Sequence, residues 1–473
     1  MSDYKEFIAG KKRKLKPMGF EVDADRLNPF LKDWQRRVVA FAVRRGRAAM
    51  FEECGLGKTI QQLVWSEQVV KHTGKPVILH CPLSVRKQTL SEAKKFNIGV
   101  PVAVTDDKSQ VIEGINIVNY EKLAHFDTSI FAGVVLDESS VLKAFTGKTK
   151  RMLCEAYTNT PYRLACTATP SPNDQMELGN QAEFLGIMPS NEMLSRWFIN
   201  DTMKAGGYRL RGHAAGDFWS WVASWAVCVS KPSDIGGDDA GYNLPQLTVH
   251  RHRVTIDPTS SPAPEGYLIN TAGISATNIH EEKRLTNHAR ADQVAEIVKD
   301  QTGPVVVWCH TDYESEALAK AIPQAVELRG SNKPEVKTAK LDGFANGDFK
   351  ILITKPSLSG HGMNWQHCSE TVFAGLNYSF EEYYQAVRRF YRFGQTNPVN
   401  VHIVLTDSDS GIQSAIARKE TDHQLMQCGM AEAMKSAMLE ELGIERQRTD
   451  YVAEKQIKLP SFLQSRGELY VSN

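Results

Sequence analysis

Several residues in the run FEECGLGKTIQ have the types and the spacing that phosphate binding requires. Gly55 and Gly57 let backbone N–H groups approach phosphate oxygens, and Lys58 adds a compact positive charge. Thr59 places a hydroxyl for Mg²⁺ at the start of a helical pattern, whose N-terminus carries partial positive charge. The run departs from the strict GxxxxGK[ST] pattern only at its first position, where Glu52 stands. We therefore predict a phosphate-binding loop here.

A second group of candidate residues lies at the end of the apolar run in GVVLDESS. A carboxylate such as Asp137 at the end of a buried strand can hold Mg²⁺, and a following one such as Glu138 can polarise an attacking water. An Asp-Glu pair after a strand is also common in ordinary turns. Because this pair follows a predicted phosphate loop at a spacing typical of nucleotide hydrolases, we interpret it as catalytic.

The elements that must position these residues follow an α/β pattern. From Ala48 to Cys166, short apolar runs such as VILHC, INIVNY and YRLACTA alternate with longer runs of helical period. Such alternation predicts parallel βαβ units, with ligand sites at the carboxyl ends of the strands. A second alternation runs through PVVVWCH, KILIT, ETVFAGL and VNVHIVL, and predicts a second unit of the same kind.

The segments between and around these units differ from them in composition. A Trp-rich helical stretch contains Trp219, Trp221 and Trp225, whose spacing suits buried packing better than stacking on bases. We predict the following domains: a basic N-terminal tail at 1–24, a first α/β lobe at 25–185, a helical insertion and linker at 186–290, a second α/β lobe at 291–408, and a helical C-terminal tail at 409–473.

The composition excludes several classes of protein. Of the 473 residues, 42% are hydrophobic and 23% are charged, which is typical of a globular protein rather than a disordered or fibrous one. No stretch of about 18 apolar residues occurs, so we expect no membrane span and a cytoplasmic location. With 56 basic and 55 acidic side chains, any nucleic acid must bind to locally clustered charge. We expect the protein to be a monomer.

Taken in order, the motifs resemble those of superfamily-two helicases. The first half contributes NPFLKDWQ, ECGLGKT, ILHCPLSVRKQ, LDESS and CTATPSPND, and the second contributes VVVWCH, ELRGS, SGHGMNW and QAVRRFYRFGQ. GLGKT, CPLSV and the R-x-x-R-x-G-Q spacing are most similar to Swi/Snf-type ATPases, and LDESS followed by LKAFTGKTK resembles compact helicase-like proteins encoded by bacteriophages. The resemblance covers residues 28–400. It implies two RecA-like lobes, ATP and Mg²⁺ as cofactors, and DNA as the partner.

The resemblance also implies roles for individual residues of the first lobe. Nucleotide contacts fall to the following residues: Leu31, Gln35, Gly55, Gly57, Lys58 and Thr59. Leu31 and Gln35 would read the adenine base. Asp137 would coordinate Mg²⁺ through water, together with the Thr59 hydroxyl, and Glu138 would be the catalytic base.

In the second lobe, the resemblance implies that Gln385 orients water or phosphate. Arg389 and Arg392, three residues apart on one face of a predicted helix, would reach across the cleft as arginine fingers. Arg388 lies outside the matched pair and receives no role. A solvated basic helix face is the alternative interpretation of these arginines.

Contacts with DNA are implied for residues of both lobes. Ser84 and Arg86, at a loop and a helix start, would bind the DNA backbone, and an exposed helix cap is the alternative. In SGHGMNW, a G-x-G turn would bring the backbone close to its ligands. Gly360 and Asn364 would then lie near nucleic acid and Gly362 near the nucleotide.

The function expected from this set is a DNA-dependent ATPase motor, either a helicase that separates strands or a translocase that tracks along duplex. Thr167 and Thr169 in the run TATP would couple hydrolysis to movement, or else form an ordinary turn at a strand end. Two other functions fit part of the pattern: an RNA helicase, and a nucleic-acid clamp or scaffold that binds ATP with little turnover. The complete set of catalytic residue types disfavours the clamp.

Overall fold

The computed structural model describes residues 16–144, 146–172, 174–201, 207–254, 283–359, 365–406 and 409–441. Within these ranges, two parallel sheets of seven and six strands carry helices and define two lobes. This arrangement confirms the predicted two-lobed RecA-like α/β fold. Most of the predicted basic tail, residues 1–15, lies outside the described residues.

The first sheet holds the strands that carry the candidate residues. Its strands are β1 (Arg47–Glu52), β2 (Val77–Cys81), β3 (Val102–Val104), β4 (Ile115–Asn119), β5 (Gly133–Asp137), β6 (Tyr162–Thr167) and β9 (Ala226–Val229). Their order across the sheet is β3-β4-β2-β5-β6-β1-β9. Because helices cover the sheet, β2, β4 and β9 are continuous runs of buried residues. The neighbours β5, β6 and β1 bring the loops that follow them to one edge.

Seven α-helices accompany this sheet in the described residues. They are α1 (Asp33–Arg45), α2 (Lys58–Thr73), α3 (Arg86–Lys95), α4 (Lys148–Ala156), α5 (Leu178–Phe184), α6 (Ser190–Trp197) and α7 (Ala215–Ala223). α2 begins directly after the phosphate loop, and α1 packs beside it. Val38, Leu63 and Trp65 belong to the buried core between these helices and the sheet, which fixes the base of the loop.

A short antiparallel hairpin follows α6 in the chain. Its strands are β7 (Phe198–Asp201) and β8 (Gly207–Leu210). The ring of Trp197, at the end of α6, stacks on that of Trp221 with centroids 4.7 Å apart, and Trp225 is fully buried. The prediction that the Trp-rich stretch packs in a core is therefore confirmed.

The second sheet is also parallel throughout. Its strands are β10 (Leu247–Arg253), β11 (Val305–Trp308), β12 (Val326–Glu327), β13 (Ile351–Thr354), β14 (Glu370–Phe373) and β15 (Val399–Leu405). Their order is β10-β15-β14-β11-β13-β12. The helices of this half are α8 (Asn287–Lys299), α9 (Asp312–Ala321), α10 (Pro334–Asn346), α11 (Pro356–Ser359), α12 (Phe380–Val387) and α13 (Ser410–Glu441).

The lobe boundaries differ from the predicted ones at residues 185 and 291. β9 lies beyond residue 185, yet it pairs with β1 as an edge strand of the first sheet. β10 lies before residue 291 and pairs with β15 in the second sheet. The predicted insertion at 186–290 thus supplies a strand to each lobe. β9 is an apolar run that directly continues an apolar helical stretch, so its periodicity does not separate it from a helix.

The segment that carries the candidate arginines also differs from the prediction. α12 ends at Val387, and Arg389 and Arg392 lie in the turns that follow rather than on one continuous helix face. The carbonyl of Arg389 accepts a hydrogen bond from the Trp365 backbone N–H at 3.1 Å. This carbonyl therefore bonds to a distant part of the second lobe rather than to a following turn of α12. Gly394, with φ 97°, reverses the chain shortly afterwards.

The predicted helical tail is confirmed as α13 over its described part. Ile412 and Ile416, near its start, pack in a core of the second lobe. Met430, further along, is fully buried in the core of the first lobe. α13 therefore contacts both lobes. No helix in the described ranges combines the length and the apolar composition that crossing a membrane requires.

Candidate active site between the lobes

The loop between β1 and α2 has the backbone shape of a phosphate cradle. Gly55 and Gly57 have φ of 90° and 84°, a region that other residues rarely adopt. A Cβ at position 57 would lie 2.6 Å from Nε2 of Gln35, and one at position 55 would lie 3.0 Å from the backbone N of Phe393 in the second lobe. The loop therefore needs glycine at both positions, and it lies against the second lobe.

Lys58, the first residue of α2, points back over this loop. Its Nζ donates hydrogen bonds to the carbonyl oxygens of Glu52 at 2.7 Å and of Glu53 at 3.1 Å. Burial raises the pKa of the Glu52 carboxyl to about 7, and one of its oxygens has no hydrogen-bond partner among the described residues. The ammonium is thus held in the cradle by backbone carbonyls. Thr59, half-buried, follows in the first turn of α2.

Gln35 and Leu31 lie beside the cradle. Nε2 of Gln35 donates to the carbonyl of Leu56 at 2.7 Å, and its Oε1 accepts from the backbone N–H of Lys32 at 2.8 Å. The Gln35 side chain thus ties the start of α1 to the phosphate loop. Leu31 is buried in the core of the first lobe. Contact of either residue with adenine stays a prediction.

The two candidate carboxylates stand at the end of β5. Asp137 Oδ1 accepts a hydrogen bond from Gln62 Nε2 at 2.8 Å, which joins β5 to α2. Burial raises the pKa of Asp137 to about 6, although the bond from Gln62 and the charge of Lys58 oppose the shift. The proximity of Lys58 and Asp137 is what a site for a magnesium-bound triphosphate requires.

Glu138 adopts a left-handed backbone conformation, with φ 64° and ψ 59°. Its Oε1 accepts hydrogen bonds from the hydroxyls of Thr167 at 2.5 Å and Ser140 at 3.1 Å. Thr167 ends β6, and its Oγ1 also accepts from the backbone N–H of Thr169 at 3.0 Å. The run TATP is therefore bonded directly to the candidate base. Such strain in a non-glycine residue is often found at functional sites.

The second lobe brings Arg389 to the same place. Its Nε and Nη2 donate to the carbonyl and the Oε1 of Gln385 at 3.2 and 3.1 Å. Burial lowers the pKa of the Arg389 guanidinium to about 10, and Cys54 of the cradle, Glu138 and Asp137 oppose that shift. Arg389 thus lies within electrostatic range of the first-lobe carboxylates.

Two buried donors of the second lobe have no hydrogen-bond partner within the described part of the chain. They are Nε2 of Gln385 and Nε of Arg392. Buried donors left unpaired are costly, and an anionic ligand would satisfy them. Together with the glycine cradle and the ammonium of Lys58, these donors fit a triphosphate. The Asp137 carboxylate and the Thr59 hydroxyl are hard oxygen donors of the kind that Mg²⁺ prefers.

One contact between the lobes was missed at the sequence level. The carboxylate of Glu53 accepts hydrogen bonds from the Tyr384 hydroxyl, at 2.7 Å, and from Arg388 Nη2, at 3.1 Å. A second such pair joins Lys143 of the first lobe to Glu381 of the second. The i, i+4 spacing of Tyr384 and Arg388 was the available signal, but it does not identify a partner more than 300 residues away.

Of the residues predicted to contact DNA, Ser84 and Arg86 belong to the first lobe. Ser84 is half-buried in the turn before α3. Arg86 is only 7% exposed and donates to Thr105 O at 3.0 Å, to Asp106 Oδ1 at 2.9 Å and to Asn119 at 3.3 Å. This geometry gives Arg86 a structural role between α3 and the neighbouring strands, and it argues against the expected phosphate contact.

The remaining predicted contacts of the second lobe are Gly360, Gly362 and Asn364, and these lie outside the described residues.

Comparisons with known proteins agree with this geometry. Residues 34–206 match the SNF2-related domain, and residues 289–394 match the helicase conserved C-terminal domain. The chain is a helicase-like protein of the Swi/Snf type. The two matches fall on the lobe with the phosphate cradle and on the lobe with the arginines of this Swi/Snf-type protein.

Several relatives are similar over most of this Swi/Snf-type chain. "Putative protein p41" of Acyrthosiphon pisum secondary endosymbiont phage 1 is 23% identical, over 85% of this chain and 98% of its own length. The DNA annealing helicase and endonuclease ZRANB3 of Mus musculus is 21% identical, over 84% of this chain and 40% of its own length. This chain thus spans nearly all of the phage protein but less than half of the mouse protein.

A solved structure is also similar in part. It is titled "Sulfolobus solfataricus SWI2/SNF2 ATPase core in complex with dsDNA", and it is 18% identical with a TM-score of 0.42, over 89% of this chain and 99% of that one.

Proposed function

We propose that the protein is a DNA-dependent ATPase motor, a helicase or translocase that couples ATP hydrolysis to movement along DNA. The observation that carries this proposal is the position of Arg389. It belongs to the second lobe, yet it is buried, and the chain on both sides of it contacts the first-lobe loop. Arg388 Nη2 donates to Glu53 at 3.1 Å, and the backbone N of Phe393 would lie 3.0 Å from a Cβ at position 55. Hydrolysis would then need groups from both lobes, which ties chemistry to the relative position of the lobes.

Each first-lobe residue has a role that follows from its position. Lys58 exchanges its bonds to the loop carbonyls for bonds to phosphate oxygens, and the glycine amides hold the same group. Glu138 polarises the attacking water, and the Thr167 hydroxyl orients the carboxylate for that task. Asp137 and Thr59 would hold Mg²⁺, which draws negative charge from the phosphates when bound.

The second-lobe residues complete the site. Arg389 and Arg392 stabilise the charge that spreads over the transferred phosphoryl group, and a planar guanidinium suits such a charge. Gln385 fixes Arg389 through two hydrogen bonds, and its own Nε2 is buried with no partner among the described residues, so it is available to a ligand. Because the closed arrangement is favoured while phosphate bridges Lys58 and Arg389, its loss on hydrolysis would release the lobes and allow a step.

DNA is favoured as the partner because the relatives that match most of the chain include a DNA annealing helicase. Contacts made to the phosphate backbone would be sensitive to salt and nearly independent of base sequence.

The first test is the ATPase rate without nucleic acid and with single-stranded DNA, duplex DNA or RNA. We expect DNA to raise the rate, and we expect Lys58→Ala and Glu138→Gln each to abolish it, since removal of such groups costs about 10²–10⁴-fold or more. Glu113→Gln changes an exposed glutamate of the same lobe and serves as the matched control. A strand-displacement assay then separates unwinding from tracking along duplex.

Three results would contradict the proposal or part of it. Unaltered turnover in Glu138→Gln would remove the role of that residue. A larger stimulation by RNA than by DNA would identify an RNA helicase instead. ATP binding without turnover under every condition would identify a clamp.

A further inference from the structure

We infer that Glu53, Tyr384 and Arg388 are positioning residues that hold the arginine-bearing segment in register with the phosphate cradle. This inference rests on the proposed function, because it concerns the same site. None of the three residues is given a role by the motif resemblance. They do not touch the reacting atoms, and they act through Lys58 and Arg389.

Glu53 is the first residue after β1 and one of the most constrained side chains of the site. It is 6% exposed, and its backbone N–H donates to the carbonyl of Val229 on the edge strand at 2.9 Å. Its Oε1 accepts from the backbone N–H of Cys54 at 2.7 Å. Burial alone would raise the pKa of Glu53, but Arg388, the Tyr384 hydroxyl, the Cys54 backbone N–H and Lys58 together lower it.

Tyr384 and Arg388 stand one helical turn apart at the end of α12, so both face Glu53. The guanidinium of Arg388 lies 5.0 Å from the ring centroid of Tyr384 and 5.4 Å from that of Tyr391. Its Nη1 donates to the Tyr391 carbonyl at 3.2 Å, and its Nη2 donates to Glu53 at 3.1 Å. A planar, stacked and doubly bonded guanidinium allows little freedom, and lysine would not reproduce it.

The contact between Glu53 and Arg388 links Lys58 of the cradle to the segment that carries Arg389. The carbonyl of Glu53 accepts from Lys58 Nζ, while its carboxylate holds Arg388, the residue next to Arg389. With its charge matched by a buried carboxylate, Arg388 is committed to the interface and is unavailable to phosphate. A displacement of about 1 Å in such a site can cost about 100-fold in rate. The triad therefore sets where Arg389 stands relative to the cradle.

The test is a kinetic comparison of Arg388→Met with the wild-type protein. We expect kcat to fall about 10–100-fold while KM for ATP changes less than about threefold, because a guanidinium acting on the transition state is misplaced and the cradle is intact. Arg290→Met is the matched control, since Arg290 also makes a buried ion pair, to Asp409 at 2.6 Å, but within the second lobe. We expect Arg290→Met to keep kcat per folded molecule. An equal fall in both variants would overturn the inference.

A double-variant comparison keeps the test decisive if Arg388→Met alone is unstable. Removing one partner leaves a buried lone charge, whereas removing both does not. We expect Glu53→Gln with Arg388→Met to be no slower than Arg388→Met alone, because the two residues act as one unit. If the fall in kcat of the double variant equalled the product of the two single falls, Glu53 and Arg388 would have independent roles, which would contradict the inference. Tyr384→Phe keeps both charges, and we expect a fall in kcat of about two- to fivefold.

Hydrogen exchange of the nucleotide-free protein separates this inference from the proposed function. We expect Arg388→Met to speed amide exchange in residues 53–57 and 384–392, and Arg290→Met to leave those segments unchanged. If the wild-type protein shows no turnover with any nucleic acid, the proposed function fails while the exchange result still decides the positioning role. Unchanged exchange in Arg388→Met would overturn that role.

Discussion

The two lobes hold their functional groups in different ways. In the first lobe, Lys58, Asp137 and Glu138 lie at the ends of buried strands or at a helix start, and their partners belong to the same lobe. In the second lobe, Arg389 and Arg392 lie in turns beyond the end of α12, and the neighbouring Arg388 is bonded to Glu53 of the first lobe. The first lobe is thus a preformed half of a site, while the second-lobe half depends on how the lobes meet. This difference would suit the proposed motor, in which the two halves of the site separate and meet again.

The largest expected effect tests that division directly. Arg389→Ala should lower kcat about 10³-fold, because a finger supplied from a second lobe is worth about 10³–10⁵. The affinity of the variant for ATP should change little, because the cradle of the first lobe is intact. Titration with a fluorescent nucleotide measures that affinity separately from turnover. Arg251→Ala, an exposed arginine on β10, is the control and should leave kcat unchanged. Loss of nucleotide binding in Arg389→Ala would show that the first lobe is not preformed.

A smaller effect is expected from filling the cradle. Gly57→Ala should weaken ATP binding about tenfold, because a Cβ would lie 2.6 Å from Gln35 Nε2 at a positive φ. Gly74→Ala is a matched control, since Gly74 also has a positive φ but has no atom within 4 Å of the added Cβ. Both variants should lose about 1 kcal/mol of stability from backbone strain, and only Gly57→Ala should lose affinity. Equal affinities in isothermal titration would contradict the assignment of the cradle.

The smallest effect concerns stability and pH in the first lobe. The pKa of Asp137 is raised from 3.8 to about 6 in the folded protein, so the buried charge costs stability above pH 6. Asp137→Asn should therefore stabilise the protein at pH 8 by about 1–3 kcal/mol, and the gain should shrink as the pH falls from 6 through 3.8 and be nearly gone at about pH 2.5, where both states are protonated. Urea unfolding at the two pH values measures it, with the exposed Asp33→Asn as control. A loss of stability at pH 8 would mean that burial of the Asp137 charge does not destabilise the folded protein.

Much of the first-lobe site was predictable because it follows local rules. Strand, glycine loop and helix succeed one another around Lys58, and an apolar run ends at Asp137, so pattern alone places these groups at one edge of a parallel sheet. The same reasoning failed where a contact outside the segment decides its shape. The sequence pattern predicts Arg389 on a helix, but its carbonyl bonds to Trp365 and the helix ends two residues earlier.

Long-range pairing explains the other differences. The type and position of Arg86 suit a phosphate ligand, yet its guanidinium bonds to Asp106 and Asn119. These partners come beside Arg86 only when the neighbouring strands fold against α3. β9 and β10 do not show their lobes in the sequence, because their sheet partners lie far away in the chain. The pairing of Glu53 with Arg388 spans 335 positions, and a single sequence carries no record of such a contact.

The last helix limits how far the molecule can open. Ile416 is anchored in one lobe and Met430 in the other, about 21 Å apart along a straight helix at 1.5 Å per residue. A rotation of one lobe against the other must therefore bend α13 between Ile416 and Met430, or remove Met430 from the core of the first lobe. The length of α13 between these two residues therefore bounds the separation of the lobes, and shortening the helix would change that separation without altering any residue of the candidate site.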